Sequence, residues 1–267
     1  SLKATNSFVV TVFAVHNGPA LPVQNNVTNN ELVLLTVTNT AADSDIPALP
    51  LTYSLAVTNL NTGLAVTNAT IDTNGVISWT PQQTQSPSTN RFTTIVSDGS
   101  LSATNAFIVI VREVNQAPLL PAQTNLSLAG TQPLTVTNTA TEPNIHSVTT
   151  GYGLLVAPAG AVVDTNGVIT WTPVVNQVPS TNTFTTIVTN NNPYDLVTPS
   201  LKATNSFVVT VFAVHNGPAL PAQNNVTNNE LALLTVTNTA TDNDIPALPL
   251  TYSLFVTNLN TGLAVTN

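Results

Sequence analysis

Short runs in which apolar and polar residues alternate recur along the whole chain, and no window carries the roughly 3.6-residue period of a helix. In the first well-marked block the alternation predicts strands over residues 32–38, 51–55, 69–72, 76–80, 91–97 and 106–111, with an irregular strand near Leu21. Asn74-Gly75, Asn166-Gly167 and Asp98-Gly99 mark hairpin turns between strands, because a tight turn needs positive φ, which Asn, Asp and Gly reach at least cost. The same pattern places Ile71, Ile77, Trp79, Phe92 and Ile95 on one core face, and Val163, Ile169, Trp171, Phe184 and Ile187 on another. Each tryptophan sits at the same place in its strand, which favours packing over a sugar-stacking role.

The runs themselves repeat. Ser1 to Asn68 returns as Ser200 to Asn267, 199 positions later, with five changes: Val23 to Ala222, Val33 to Ala232, Ala42 to Thr241, Ser44 to Asn243 and Ala56 to Phe255. A diverged copy lies inside that period, where TVTNT at Thr36 answers TVTNT at Thr135 and Trp79-Thr80-Pro81 answers Trp171-Thr172-Pro173. The unit is therefore about 100 residues, and its length changes fall between strands, where surface loops absorb them. Residues 1–16 read as the last strand of a preceding repeat, 17–114 as a first complete repeat, 115–214 as a second, and 215–267 as the first half of a third. The expected fold class is all-β: tandem seven-stranded antiparallel β-sandwiches.

The stretches ELVLLTVTNTAADSD with LTYSL, IDTNGVISWTP, FTTIVSDGS with FIVIV, and the connection EVNQAP resemble the cadherin-like and bacterial Ig-like repeats of large extracellular surface proteins. The likeness covers essentially the whole chain. It implies an extracellular or cell-surface location. It leaves the role open, because such modules serve as spacers, adhesins and appendages to enzymes alike.

Asp43-Ser44-Asp45 and Asp242-Asn243-Asp244 have a spacing that suits a hard cation, since Ca²⁺ takes about six to eight oxygens and a D-x-D loop delivers two carboxylates together. The same loops also read as Asx turns that satisfy their own backbone. The resemblance implies that Glu31 and Glu230 join these pairs. It also shows departures: the group's D-x-N-D-N linker survives only as Glu113-Val114-Asn115-Gln116-Ala117-Pro118 and as Val214-His215-Asn216-Gly217-Pro218, and its mid-repeat R-E pair is missing. The second repeat holds Gly130, Glu142 and Asn144 at the corresponding positions, so no ion is expected there. Calcium is the one cofactor this pattern admits, and none is required.

Composition narrows the function further. With 42% hydrophobic and only 6% charged residues among its 267, the chain is too apolar for a disordered polymer. Its net charge of −8 leaves Lys3, Arg91, Arg112 and Lys202 as the only bases, which excludes a phosphate-neutralising face and hence nucleic acid as a partner. No apolar run approaches the roughly 20 residues of a membrane-spanning helix, so membrane insertion is not expected. The chain opens on Ser1 and is expected to begin inside a longer protein. It contains no cysteine, which fits an exported fibre that does without disulfides.

His16, His215 and His146 have no nucleophile and orienting acid arranged with them in the sequence, so the expectation is a protein that is not an enzyme. Asn26, Asn68, Asn125 and Asn225 open N-x-S/T sequons and are candidate glycan acceptors. The expected role is a structural repeat of an extracellular bacterial fibre, filament or stalk that assembles with itself. An adhesin stalk, or accessory repeats of a giant secreted enzyme, are the alternatives.

Overall fold

The alternating runs become two seven-stranded sandwiches in the computed structural model, which describes residues 1–265. The first contains β1 (Val27–Asn30), β2 (Leu35–Thr38), β3 (Thr52–Asn59), β4 (Thr70–Ile71), β5 (Val76–Trp79), β6 (Ser88–Ser97) and β7 (Ser102–Arg112). One sheet has the order β1-β7-β6-β3 and faces a second with the order β2-β5-β4. The second sandwich contains β8 (Leu126–Ala129), β9 (Leu134–Thr137), β10 (Val148–Val156), β11 (Val162–Val163), β12 (Val168–Trp171), β13 (Ser180–Asn191) and β14 (Lys202–Phe212), in sheets β10-β13-β14-β8 and β11-β12-β9. The chain divides into two compact units. Unit 1 comprises Ser1–Ala117, Glu142–Thr149 and Asn190–Leu201, and unit 2 comprises Pro118–Thr141, Thr150–Thr189 and Lys202–Asn267.

Within unit 1 the core is Leu35, Val57, Ile77, Trp79, Phe92, Phe107, Val109 and Val111, with Ile71 packed against it. Trp79, Phe92 and Phe107 form a ladder with centroid separations of 5.3 and 5.4 Å. Such pairs contribute about 0.5–1.5 kcal/mol beyond their buried area. Trp79 is 1% exposed, and its indole N–H donates to Asn68 Oδ1 at 3.1 Å, so the polar edge of a fully buried ring is satisfied. Unit 2 repeats the arrangement with Trp171, Phe184 and Phe207, and Val163 packs at the edge of that core.

Two expected core residues are corrected. Ile95 is 41% exposed, and Ile187 is only half-buried. Both lie an odd number of positions from the phenylalanine of their own strand, and a pleated strand puts odd and even positions on opposite faces. Thr94 and Val96 are the inward residues after Phe92, as Thr186 and Val188 are after Phe184, each with no exposed surface. The inward threonine is tolerated because Asn39, also fully buried, donates its amide to Thr94 Oγ1 at 2.8 Å.

The strand expected over 32–38 begins later, at Leu35. Leu32 sits in a turn at φ 59°, and the preceding strand β1 runs parallel to β7, pairing Val27 with Val109. The sandwiches are otherwise antiparallel, and β8 makes the matching parallel pair with β14. The hairpin between β4 and β5 closes as expected around Asp72–Gly75, with Asp72 Oδ1 accepting the N–H groups of Asn74 and Val76. Gly75 is doubly required. Its φ is +76°, and a Cβ there would lie 2.8 Å from the Asn39 carbonyl oxygen.

Residues 1–14 of unit 1 are exposed, with Phe8 at 84% and Val10 at 68%. Their sequence nonetheless repeats residues 200–213, and there it forms β14, whose Val209 and Val211 lie in the core of unit 2. The fold makes a direct mutational prediction. Trp79→Ala should cost about 3–5 kcal/mol in denaturant unfolding, whereas Ile95→Ala, one strand away on the outward face, should stay within about 0.5–1 kcal/mol.

Candidate metal centre

Three aspartates meet at one end of the first sandwich. Asp98 occupies the hairpin between β6 and β7, where its Oδ1 accepts the N–H groups of Leu101 and Ser100, both at 2.6 Å. Those bonds hold its carboxyl below the usual range. Asp45 Oδ1 accepts the Asn17 N–H, and the Asp45 N–H donates to Asp43 Oδ1 at 3.0 Å. Each aspartate thus spends one oxygen on fixing a loop.

The other three oxygens have no such partner. Asp43 Oδ2, Asp45 Oδ2 and Asp98 Oδ2 are buried without a hydrogen-bond partner, and the carboxylates of these residues come within 4.8 Å of one another. His16 Nδ1 lies 3.5 Å from Asp45 Oδ2. Buried anionic oxygens gathered without donors are costly, and a cation relieves both the desolvation and the mutual repulsion. Oxygen-only donors, two of them from one D-x-D loop, are the chemistry that Ca²⁺ or a similar hard cation takes. The residues present therefore fit calcium. Asp98 went unread as a donor because its Asp-Gly context is already explained by a turn, and only the fold brings it beside Asp43.

Glu31 lies elsewhere. It follows β1, its N–H bonds to the Arg112 carbonyl at 3.0 Å, and its carboxylate takes the Asn144 amide at 2.8 Å and the Val114 N–H at 3.4 Å. That is the far end of β7, about 33 Å from Asp98 at about 3.3 Å per residue. The structure therefore divides the expected set: Asp43 and Asp45 gather with Asp98, and Glu31 gathers with Glu113. Burial and the charge of Glu113 push the Glu31 carboxyl up. Against the cost of burial, hydrogen bonds led by that from Asn192 hold Glu113 down.

In unit 2, Asp244 Oδ1 accepts the Asn216 N–H at 2.6 Å, which keeps its carboxyl low. The Asp244 N–H donates to Asp242 Oδ1 at 3.1 Å, and Glu230 lies exposed in a turn. The D-x-D geometry is the same as at Asp43 and Asp45, without a third carboxylate gathered to it among the described residues.

The four sequon asparagines are all exposed. Asn26 and Asn125 hold one structural position, each accepting a strand N–H, from Ile108 and Val208, at 2.9 Å. Asn68 differs. Its Oδ1 caps the Trp79 indole, and its amide donates to the Thr80 carbonyl at 3.2 Å.

Asp195 is the most heavily bonded acid in the structure's loops. Burial opposes its charge, but the N–H groups of Thr198, Asn115 and Val197 and the Thr198 hydroxyl hold its pKa at about 2. A carboxyl depressed in this way stabilises above its unfolded pKa, and the contribution is lost as pH falls through the folded value. The protection of the Val197 and Thr198 amides, measured against their intrinsic exchange rates, should therefore persist down to about pH 4 and fall away as pH drops from about 4 to about 2. Asp195→Asn should exchange fast across the whole range.

No protein-family profile and no curated protein sequence matches the chain. Solved structures do match. Human protocadherin-24 EC1-2 is 16% identical, covering 73% of this chain and 98% of that one at a TM-score of 0.38. Human CDH23 EC21-23 is 18% identical, covering 82% and 78% at 0.40. An endo-fucoidan hydrolase of glycoside hydrolase family 107 is 16% identical over 74% of this chain at 0.29, and this chain spans only 28% of it. These likenesses concern the β-sandwich, which the strand order above already establishes. Among the described residues, no helix is long and apolar enough to cross a membrane.

Proposed function

We propose that the chain is a non-catalytic structural repeat of an extracellular filament or stalk, in which sandwiches spanning residues 17–114 and 115–214 follow one another and the strand sequences outside them pair with further copies. One observation carries the reading. Residues 1–13 match, letter for letter, residues 200–212, which include a central strand of a folded sheet, yet here they leave Phe8, Val10 and Phe13 exposed. A sequence that pairs on both edges in one place is a strand that takes partners wherever they are offered. Near-identity of two 68-residue segments at a period of 199 suits a rod whose length matters more than any single site. The sparse charge and exposed sequons fit a neutral surface open to sugar decoration.

Calcium at Asp43, Asp45 and Asp98 has a structural role in this reading. It ties the D-x-D loop to the β6–β7 hairpin and so stiffens one end of the first sandwich. Glu31 is not among the residues that would hold it.

Sedimentation and electron microscopy of the 267-residue chain test the assembly. Association should rise with concentration and give end-to-end chains, and Val10→Lys should abolish it while leaving the unfolding temperature of the sandwiches unchanged, because Val10 is exposed in the single chain. A monomer at every concentration, or turnover of a polysaccharide, would contradict the reading. For the metal, calcium at about a hundred times its Kd should add about 2.7 kcal/mol to unfolding. Asp45→Asn should remove that gain.

A further inference from the structure

Residue positions 43, 45 and 98 of the first repeat correspond to 142, 144 and 190 of the second, where the residues are Glu142, Asn144 and Asn190. These three lie in unit 1 with Glu31 and Glu113, so the two clusters are compared within one compact body. Both clusters leave buried carboxylate oxygens without a hydrogen-bond partner, Oδ2 of Asp43, Asp45 and Asp98 in the first and Oε2 of Glu31 and Glu113 in the second, but only the first gathers three carboxylates within 4.8 Å of one another. In the second, amide N–H groups are aimed at the acids.

The direction of each amide is set by the backbone. Asn144 Oδ1 accepts the His146 N–H at 2.8 Å, which turns its nitrogen to Glu31 Oε1 at 2.8 Å and to the Val114 carbonyl at 3.1 Å. Asn192 Oδ1 accepts the Tyr194 N–H at 3.0 Å, which turns its nitrogen to Glu113 Oε1 at 2.9 Å. Asn190 Oδ1 accepts the Leu201 N–H at 3.0 Å, leaving its nitrogen on the Gln116 carbonyl at 2.7 Å and on Glu142 Oε2 at 3.0 Å. Exchanging O and N in any of them would set an oxygen against an oxygen and an N–H against an N–H.

The amides meet one oxygen of each glutamate, and Oε2 of Glu31 and of Glu113 has no hydrogen-bond partner. His146 Nδ1 stands 3.1 Å from Glu113 Oε2, off the line of a directed hydrogen bond. We infer that the Glu31–Glu113 cluster is a joint that works without a metal ion, with the amides of Asn144, Asn190 and Asn192 and the His146 ring standing where the first cluster leaves carboxylate oxygens for a cation. Donor N–H groups pointing at the acids repel a cation, and turning them away would orphan buried backbone groups. What the joint holds in place is the segment Glu113–Asn115 and the loop that contains Asp195, to which Asn115 donates its N–H at 2.8 Å. The inference rests on the proposed calcium role only for its contrast between the two clusters.

Calorimetric titration of the full chain with calcium, together with hydrogen exchange in calcium and in EDTA, tests it. Glu31→Gln should leave the number of calcium ions bound per chain unchanged, whereas Asp98→Asn should reduce it. In the unaltered chain, exchange at Asn115 and Val197 should be slow in EDTA and unaffected by calcium. Asn192→Asp, which sets a new carboxylate against Glu113, should lower the unfolding temperature in EDTA and regain it in calcium. A calcium ion lost with Glu31→Gln, or exchange at Asn115 slowed about tenfold or more by calcium, would overturn the inference. If the unaltered chain binds no calcium, the metal role at Asp43, Asp45 and Asp98 fails, and slow exchange in EDTA still supports the joint.

Discussion

A polar group withdrawn from water has to be met by another polar group or by an ion, and in this protein that requirement shapes the core and both ends of the first sandwich. In the core, Asn39 is fully buried and supports Thr94, so a hydroxyl can face inward between Phe92 and Val96 without being orphaned. At the Glu31 end, asparagine amides meet one oxygen of each of two buried glutamates. At the Asp98 end, backbone N–H groups meet one oxygen of each aspartate and leave the other exposed to its neighbours. The same requirement thus has two solutions within one unit, and the choice between carboxylate and amide at two repeat positions, Asp45 against Asn144 and Asp98 against Asn190, separates them.

The aromatic ladder makes these ends possible. Trp79, Phe92 and Phe107 fix the faces of β5, β6 and β7, and with the faces fixed the termini of β6 and β7 have fixed positions. Asp98 is placed by the hairpin at one terminus and Glu113 by the other. Gly75 serves the opposite sheet, closing β4 onto β5 where a side chain would strike Asn39.

Much of the sandwich was legible from alternation and turn residues alone. The tryptophans, both phenylalanines and the Asn-Gly hairpins fall where the pattern puts them, because they depend on neighbours in the same strand or turn. Ile95 and Ile187 were misplaced because hydrophobicity was allowed to outweigh the odd-even rule, while Thr94 and Thr186 hold the inward positions. The parallel pairing of β1 with β7 was not legible, since it joins segments about eighty residues apart through a strand of only four. The site was legible only in part. A D-x-D loop announces itself, but Asp98 and Glu31 are assigned by which end of β7 they occupy, and nothing local to either residue records that.

In the proposed reading the chain is a row of sandwiches whose ends are secured either by an ion or by amides, with further strand sequences that pair with other copies. The function proposed for it is mechanical, and the sites of interest are those that set stiffness and connection. Crystals of the 267-residue chain grown with terbium in place of calcium would test the central distinction directly by anomalous diffraction. The account predicts an anomalous peak among Asp43, Asp45 and Asp98 and none between Glu31 and Glu113. A peak between the two glutamates, or none at the aspartates, would contradict it.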